Sequence, residues 1–171
     1  AEVGLMALGP DLDALDLFTK EICAGPVECL DSFVSFTELS EYTTTEDDER
    51  ARLEAEGTDD MEGALQAFRE RMAHYRQHRL YPRLPHRKTI CFYPMMKTRV
   101  PGANWFALPF EDRKRLMLGH GTTGRAYAGR VLQLITGATG IDDWEWGVTL
   151  LADDPVDLKK IVYDMRFDEV S

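Results

Sequence analysis

The chain has 171 residues, a net charge of −10 and 44% hydrophobic side chains, enough to bury the core of one domain or two small ones. It has no apolar run of membrane-spanning length and no signal-peptide pattern, so a cytoplasmic protein with no membrane attachment is expected. Cys23, Cys29 and Cys91 form no Cys-x-x-Cys pair and leave an odd count, which suits free thiols in a reducing compartment and argues against a cysteine-based metal site.

Residues 2 to 8 alternate loosely and predict a strand, and Pro10 then starts a helix whose Leu12, Leu15, Leu17 and Phe18 make an apolar stripe. Ala1 opens directly on that strand and Ser171 closes the chain just as a helix ends, so both ends read as truncated. Ser32 to Leu39 is rich in β-branched and aromatic residues and predicts a second strand. Residues 44 to 64 carry nine acids against Arg50 and Arg52, seven of the ten net negative charges, and read as a solvated acidic insert. Leu65, Phe68, Met72 and Tyr75 then recur at helical spacing, predicting a helix over about 61–78.

Pro82 and Pro85 break that pattern, which places a boundary between an N-terminal half, 1–84, and a C-terminal half, 85–171. Thr89 to Tyr93 reads as a strand with Thr89, Cys91 and Tyr93 on one face. Pro109 starts a helix with Glu111 and Asp112 in its first turn, and the glycine-rich run from Gly119 to Gly124 is expected to end it, leaving His120 at the break. Val131, Gln133 and Ile135 share one face of the next strand, 137–140 is a turn, and Asp142 to Ala152 is its partner. Asp154-Pro155 caps a last helix with Leu158, Ile161, Val162 and Met165 buried. Strand, helix, strand, strand, helix is a ferredoxin-like unit without its last strand, and the first half reads as a partial copy, giving an α+β class.

From Arg69 to Arg99 nine lysines and arginines face only Glu70. The acidic whole and the lack of any nucleic-acid reading motif rank a small polyanion above nucleic acid as the ligand of this basic run. His120 is a single imidazole with no second His or Cys at ligand spacing, a pattern that suits haem iron better than zinc. Tyr93 reads first as a packed aromatic. Lys97, four residues on, is an odd neighbour for a core. Arg125 and Arg166 are either surface cations or bidentate holders of a carboxylate, and Gln133 needs a partner on an otherwise apolar face.

The run Tyr93-Pro-Met-Met-Lys97, Asn104-Trp105, Leu108-Pro-Phe-Glu111, His120-Gly121, Gly124-Arg125, Gln133, Asp142-Asp-Trp-Glu-Trp146 and Met165-Arg-Phe-Asp-Glu169 resembles the coproheme decarboxylases of Gram-positive bacteria, a branch of the chlorite dismutase superfamily. The resemblance is dense from about Thr89 to Ser171 and weak before Tyr81. It implies two ferredoxin-like halves forming a dimeric α+β barrel, and a homopentamer. It also implies iron-coproporphyrin III (coproheme) and hydrogen peroxide as substrates, haem b as product, and transient contact with a ferrochelatase.

Carried over by position, the resemblance makes His120 the axial iron ligand, Tyr93 the radical-forming phenol and Lys97 its aid at the reacting propionate. Arg125, Arg166 and Ser171 would hold other propionates, Gln133 would be the distal amide, and Met95 and Trp105 would line the pocket. Chlorite dismutases proper carry an arginine at the distal position, so Gln133 favours the decarboxylase. A chlorite-degrading haem enzyme, a non-catalytic haem carrier or sensor, and a ligand-free α+β domain remain the alternatives.

Overall fold

The computed structural model describes residues 3–170, which divide into two compact units, 3–33 and 34–170. The first unit is one helix, α1 (Leu12–Cys23), capped by the Asp11 side chain, which accepts from the Ala14 amide at 2.8 Å. The expected stripe exists but none of α1 is buried, and Leu12, Leu17 and Phe18 are exposed. Of the strand expected over 2–8, the described residues 3–8 form none, and no strand among the described residues pairs with them. Alternation alone cannot make a strand without a partner for its backbone N–H and C=O groups.

In the second unit the expected strand over 32–39 shrinks to β1 (Phe36–Thr37), antiparallel to a later strand. The acidic insert is not a loop. It folds into α2 (Glu46–Glu56), followed by α3 (Met61–Leu80). Thr45 and Asp48 form a reciprocal capping box, and Glu46, Asp47, Asp48 and Glu49 lie in the first turn, where the helix dipole favours negative charge. Gly57, at φ +69°, closes α2 in a left-handed cap. Arg69 and Arg71 of α3 then bond Glu46 and Glu49, so two of the nine cations of the basic run pair with the acidic segment. Leu53, Leu65 and Phe68 are the buried apolar residues of the pair.

The rest follows the expected order, with a small hairpin and a 3-10 turn that the sequence pattern did not predict: β2 (Thr89–Met95), the hairpin of β3 (Arg99–Val100) and β4 (Ala103–Asn104), the 3-10 turn at Trp105–Ala107, α4 (Phe110–Arg125), β5 (Val131–Gly137), β6 (Trp146–Ala152) and α5 (Pro155–Met165). The sheet runs β1-β5-β6-β2, with β6 antiparallel to both β5 and β2, which is the split β-α-β arrangement of a ferredoxin-like unit. The partner strand starts at Trp146 rather than Asp142, because residues 142–145 turn back towards Ala138.

Strand alternation sends Cys91, Tyr93, Met95, Val131, Gln133, Ile135, Val148 and Leu150 to the face that receives α5. The core there is Tyr127, Val131, Val148, Leu150, Ala152, Leu158 and Ile161, with Ile161 and Ala152 fully buried. Among the described residues no helix is long and apolar enough to cross a membrane.

Candidate functional site

α4 does not end at the glycines. It runs through Gly119, Gly121 and Gly124 to Arg125, so His120 sits inside a helix and not at a break. None of these glycines adopts a positive φ; Gly124 is instead a point of close approach, where an added Cβ would meet Gln133 Nε2 at 3.0 Å and Met165 Cε at 3.1 Å. Four residues apart, His120 and Gly124 share one helix face.

His120 is half-buried, and its Nδ1 lies 2.8 Å from Asp168 Oδ2. Asp168 Oδ1 accepts from Thr123 Oγ1 at 2.7 Å, so the carboxylate just beyond α5 is held by two residues of α4. A carboxylate accepts, which puts the His120 proton on Nδ1 and leaves the Nε2 lone pair for a ligand. A cavity of about 160 Å³ opens here, lined by Arg115, Leu116, Gly119, His120, Asp168 and Glu169.

Gln133 lies on the helix-facing side of β5 and donates from Nε2 to the Gly124 carbonyl at 3.1 Å, giving the half-buried amide its partner. This contact joins the sheet to α4 one turn from His120. Tyr93 and Met95 occupy the same sheet face on β2, half-buried against the core. Burial pushes the Tyr93 phenol above its ordinary value, and the nearby Cys91 adds to the rise.

Lys97 follows two residues after β2. Its Nζ donates to the Val170 carbonyl at 2.8 Å and lies 4.8 Å from the Trp105 ring centre. Burial lowers the Lys97 ammonium, against the opposing charge of Glu145. Trp105 is buried under it.

Two expected anion holders stand apart. Arg125 is exposed and bonds Thr122 Oγ1 at 2.7 Å. Arg166 is exposed beside a second cavity of about 350 Å³ whose walls include Cys91, Lys159 and Tyr163. Ser171 lies outside the described residues. Sequence reasoning missed Asp168 and the buried Glu145. The first gave only the signal of an acid after an apolar helix; the second gave a clearer one, an acid between two tryptophans just before a buried strand.

Among the described residues no three His, Cys, Asp or Glu side chains gather closely enough to hold a metal ion. One oriented imidazole therefore fits an iron whose other ligands come from a macrocycle, and fits a structural metal site poorly.

A chlorite dismutase family profile matches residues 1–171. Coproheme decarboxylase of Staphylococcus saprophyticus is 42% identical over 177 residues, covering 100% of this chain and 63% of that protein. A Natronomonas pharaonis protein named for heme binding is 43% identical over 175 residues, covering 100% of this chain and 27% of that one. This chain thus spans less than two thirds of either relative. Among solved structures, a heme-binding protein of Thermus thermophilus superposes with a TM-score of 0.55 at 58% identity, covering 57% of this chain and 39% of that one. The match along its whole length, with full-chain identities above 40%, makes this chain a member of the chlorite dismutase family.

Proposed function

We propose that the protein belongs to a haem-synthesis enzyme that decarboxylates two propionates of iron-coproporphyrin III with hydrogen peroxide, giving haem b. The observation that carries the reading is His120, its Nδ1 occupied by Asp168 and its Nε2 free, one helical turn from the Gln133 amide. The identity to a coproheme decarboxylase supports the substrate.

When bound, the iron of the porphyrin supplies the oxidising power that peroxide brings, and the chain supplies position and charge. His120 would hold the iron from α4, and Gln133 would offer its amide from the sheet side. The cavity of about 160 Å³ beside His120 is well below the roughly 300–1,000 Å³ of ligand pockets, so its walls would have to open to admit a porphyrin. Tyr93 would give up its phenolic hydrogen and then take one from the propionate carbon next to the ring. As the carboxylate leaves as carbon dioxide and the vinyl group forms, a second electron leaves the propionate, and one peroxide, reduced to two waters, would take up both electrons. A phenol kept protonated by burial suits that hydrogen transfer. Lys97 would steady the reacting carboxylate by exchanging the Val170 carbonyl for it, with Met95 and Trp105 as walls and Arg125, Arg166 and Ser171 as anchors of the remaining propionates.

The family resemblance extends this reading to two halves, 1–84 and 85–171, in a homopentamer in the cytoplasm, in transient contact with a ferrochelatase. Membership of the chlorite dismutase family keeps chlorite degradation as the second reading. The two separate in one comparison, in which coproheme-loaded protein receives peroxide in one arm and chlorite in the other. Loss of carbon dioxide with peroxide and no sustained oxygen release is expected; sustained oxygen from chlorite without decarboxylation would favour the second.

A further inference from the structure

Glu145 is buried, at 5% exposure, in the turn before β6 and between Trp144 and Trp146. A buried carboxylate is costly unless fully engaged. Here Oε2 accepts the Lys97 backbone N–H at 2.7 Å and Oε1 accepts from the Arg99 guanidinium. The Glu145 backbone is engaged as well: its N–H donates to the Met95 carbonyl at 3.1 Å and its carbonyl accepts from the Ala138 amide at 2.7 Å. One residue therefore grips positions 95, 97 and 99 in alternation, just where β2 leaves the sheet.

Met95 pairs with Trp146, and beyond it the ladder gives Lys97 N–H no strand partner; the Glu145 carboxylate takes that place. Arg99 opens the β3–β4 hairpin, which returns through Asn104 to Trp105, whose amide donates to Thr98 at 3.0 Å. The same grip thus sets the Lys97 stem and the indole beneath its ammonium.

We propose that Glu145 is a positioning residue: from the turn before β6 it fixes the Met95–Arg99 segment, so that Lys97 is presented at a set point over Trp105 for the carboxylate of an anionic substrate. The proposal rests on the decarboxylase reading for the identity of that carboxylate. The Glu145 charge has a second effect, opposing the desolvation that disfavours the charged Lys97.

Two measurements test it. Amide hydrogen exchange in the ligand-free chain should find Lys97 N–H protected although it lies outside the sheet, and Glu145→Ala should speed its exchange at least tenfold while the core strand amides of β6 stay protected. Glu145→Gln, which retains an acceptor oxygen, should restore that protection in large part. In the coproheme reaction Glu145→Ala should lower kcat roughly ten- to a hundredfold with KM little changed, the size expected of a misplaced group. Combined with Lys97→Ala it should cost nothing further.

An unprotected Lys97 amide in the wild type, or losses that multiply in the double variant, would overturn the proposal. Should the wild-type chain fail to decarboxylate coproheme, the functional reading falls, and exchange at Lys97 still decides whether Glu145 holds the segment.

Discussion

Asp168 Oδ2 sits 2.8 Å from His120 Nδ1, so the imidazole of α4 is oriented by a carboxylate 48 residues away in sequence. Such an outer partner fixes the orientation of the ring, and its loss typically weakens metal affinity by about 10–100-fold. Asp168→Ala is therefore expected to weaken coproheme binding by roughly that factor, read by absorbance titration, while His120→Ala removes the spectrum of a histidine-bound iron altogether. Equal binding by both variants and the wild type would remove His120 from the site.

Gly124 supplies the room that the Gln133 amide occupies. In Gly124→Ala the Cβ meets only the ends of two flexible side chains, and a helix-propensity gain of about 1 kcal/mol offsets the crowding. Stability should change by less than about 1 kcal/mol while the amide moves, so urea midpoints stay close and the peroxide reaction slows. An unchanged reaction would show that the position of Gln133 does not matter.

The Tyr93 phenol ionises above its ordinary value of 10.0 because burial disfavours the phenolate. Between 10.0 and that higher value the folded chain keeps a proton the unfolded chain has lost, so the contribution is fully present below 10.0 and declines as pH rises through the folded value. Tyr93→Phe should make the alkaline limb of the stability curve shallower and delete one late component from the tyrosinate absorbance titration. Tyr42 and Tyr127, also raised, remain in both proteins, so the difference between them isolates Tyr93.

Two substitutions separate core from cap. Ile161 is fully buried between α5 and the sheet, and Ile161→Ala should cost about 2–5 kcal/mol in denaturant unfolding. Thr45→Ala removes the side-chain half of the α2 capping box and should cost about 1 kcal/mol. A cost near zero at Thr45 would mean that α2 is held by Leu53 and by its bonds to Arg69 and Arg71 without need of the cap.

The sheet face was legible because alternation is a local property: Tyr93, Gln133 and Ile135 fall on the side that the sequence pattern assigns them. The helix around His120 was not. Its glycines look like breakers, yet all three are helical, and Gly124 is the point where α4 comes close to Gln133 of β5 and Met165 of α5, a tertiary contact that local propensity does not report. The acidic segment was misread for a related reason. Its charge looks unfavourable for folding until the Thr45 box and the α3 arginines are set beside it, and the arginines lie more than twenty residues away. Asp168 and Glu145 act at separations of 48 residues, where no local pattern reports a contact.

The central claim is that Tyr93 carries the hydrogen transfer in a coproheme site built on His120. The most direct test mixes wild type and Tyr93→Phe with coproheme, confirms equal binding, adds peroxide and follows porphyrin masses. Wild type should lose two carboxyl groups in sequence as carbon dioxide, and Tyr93→Phe should bind coproheme and lose neither. Full conversion by Tyr93→Phe, or no conversion by a wild type that binds coproheme, would contradict the account.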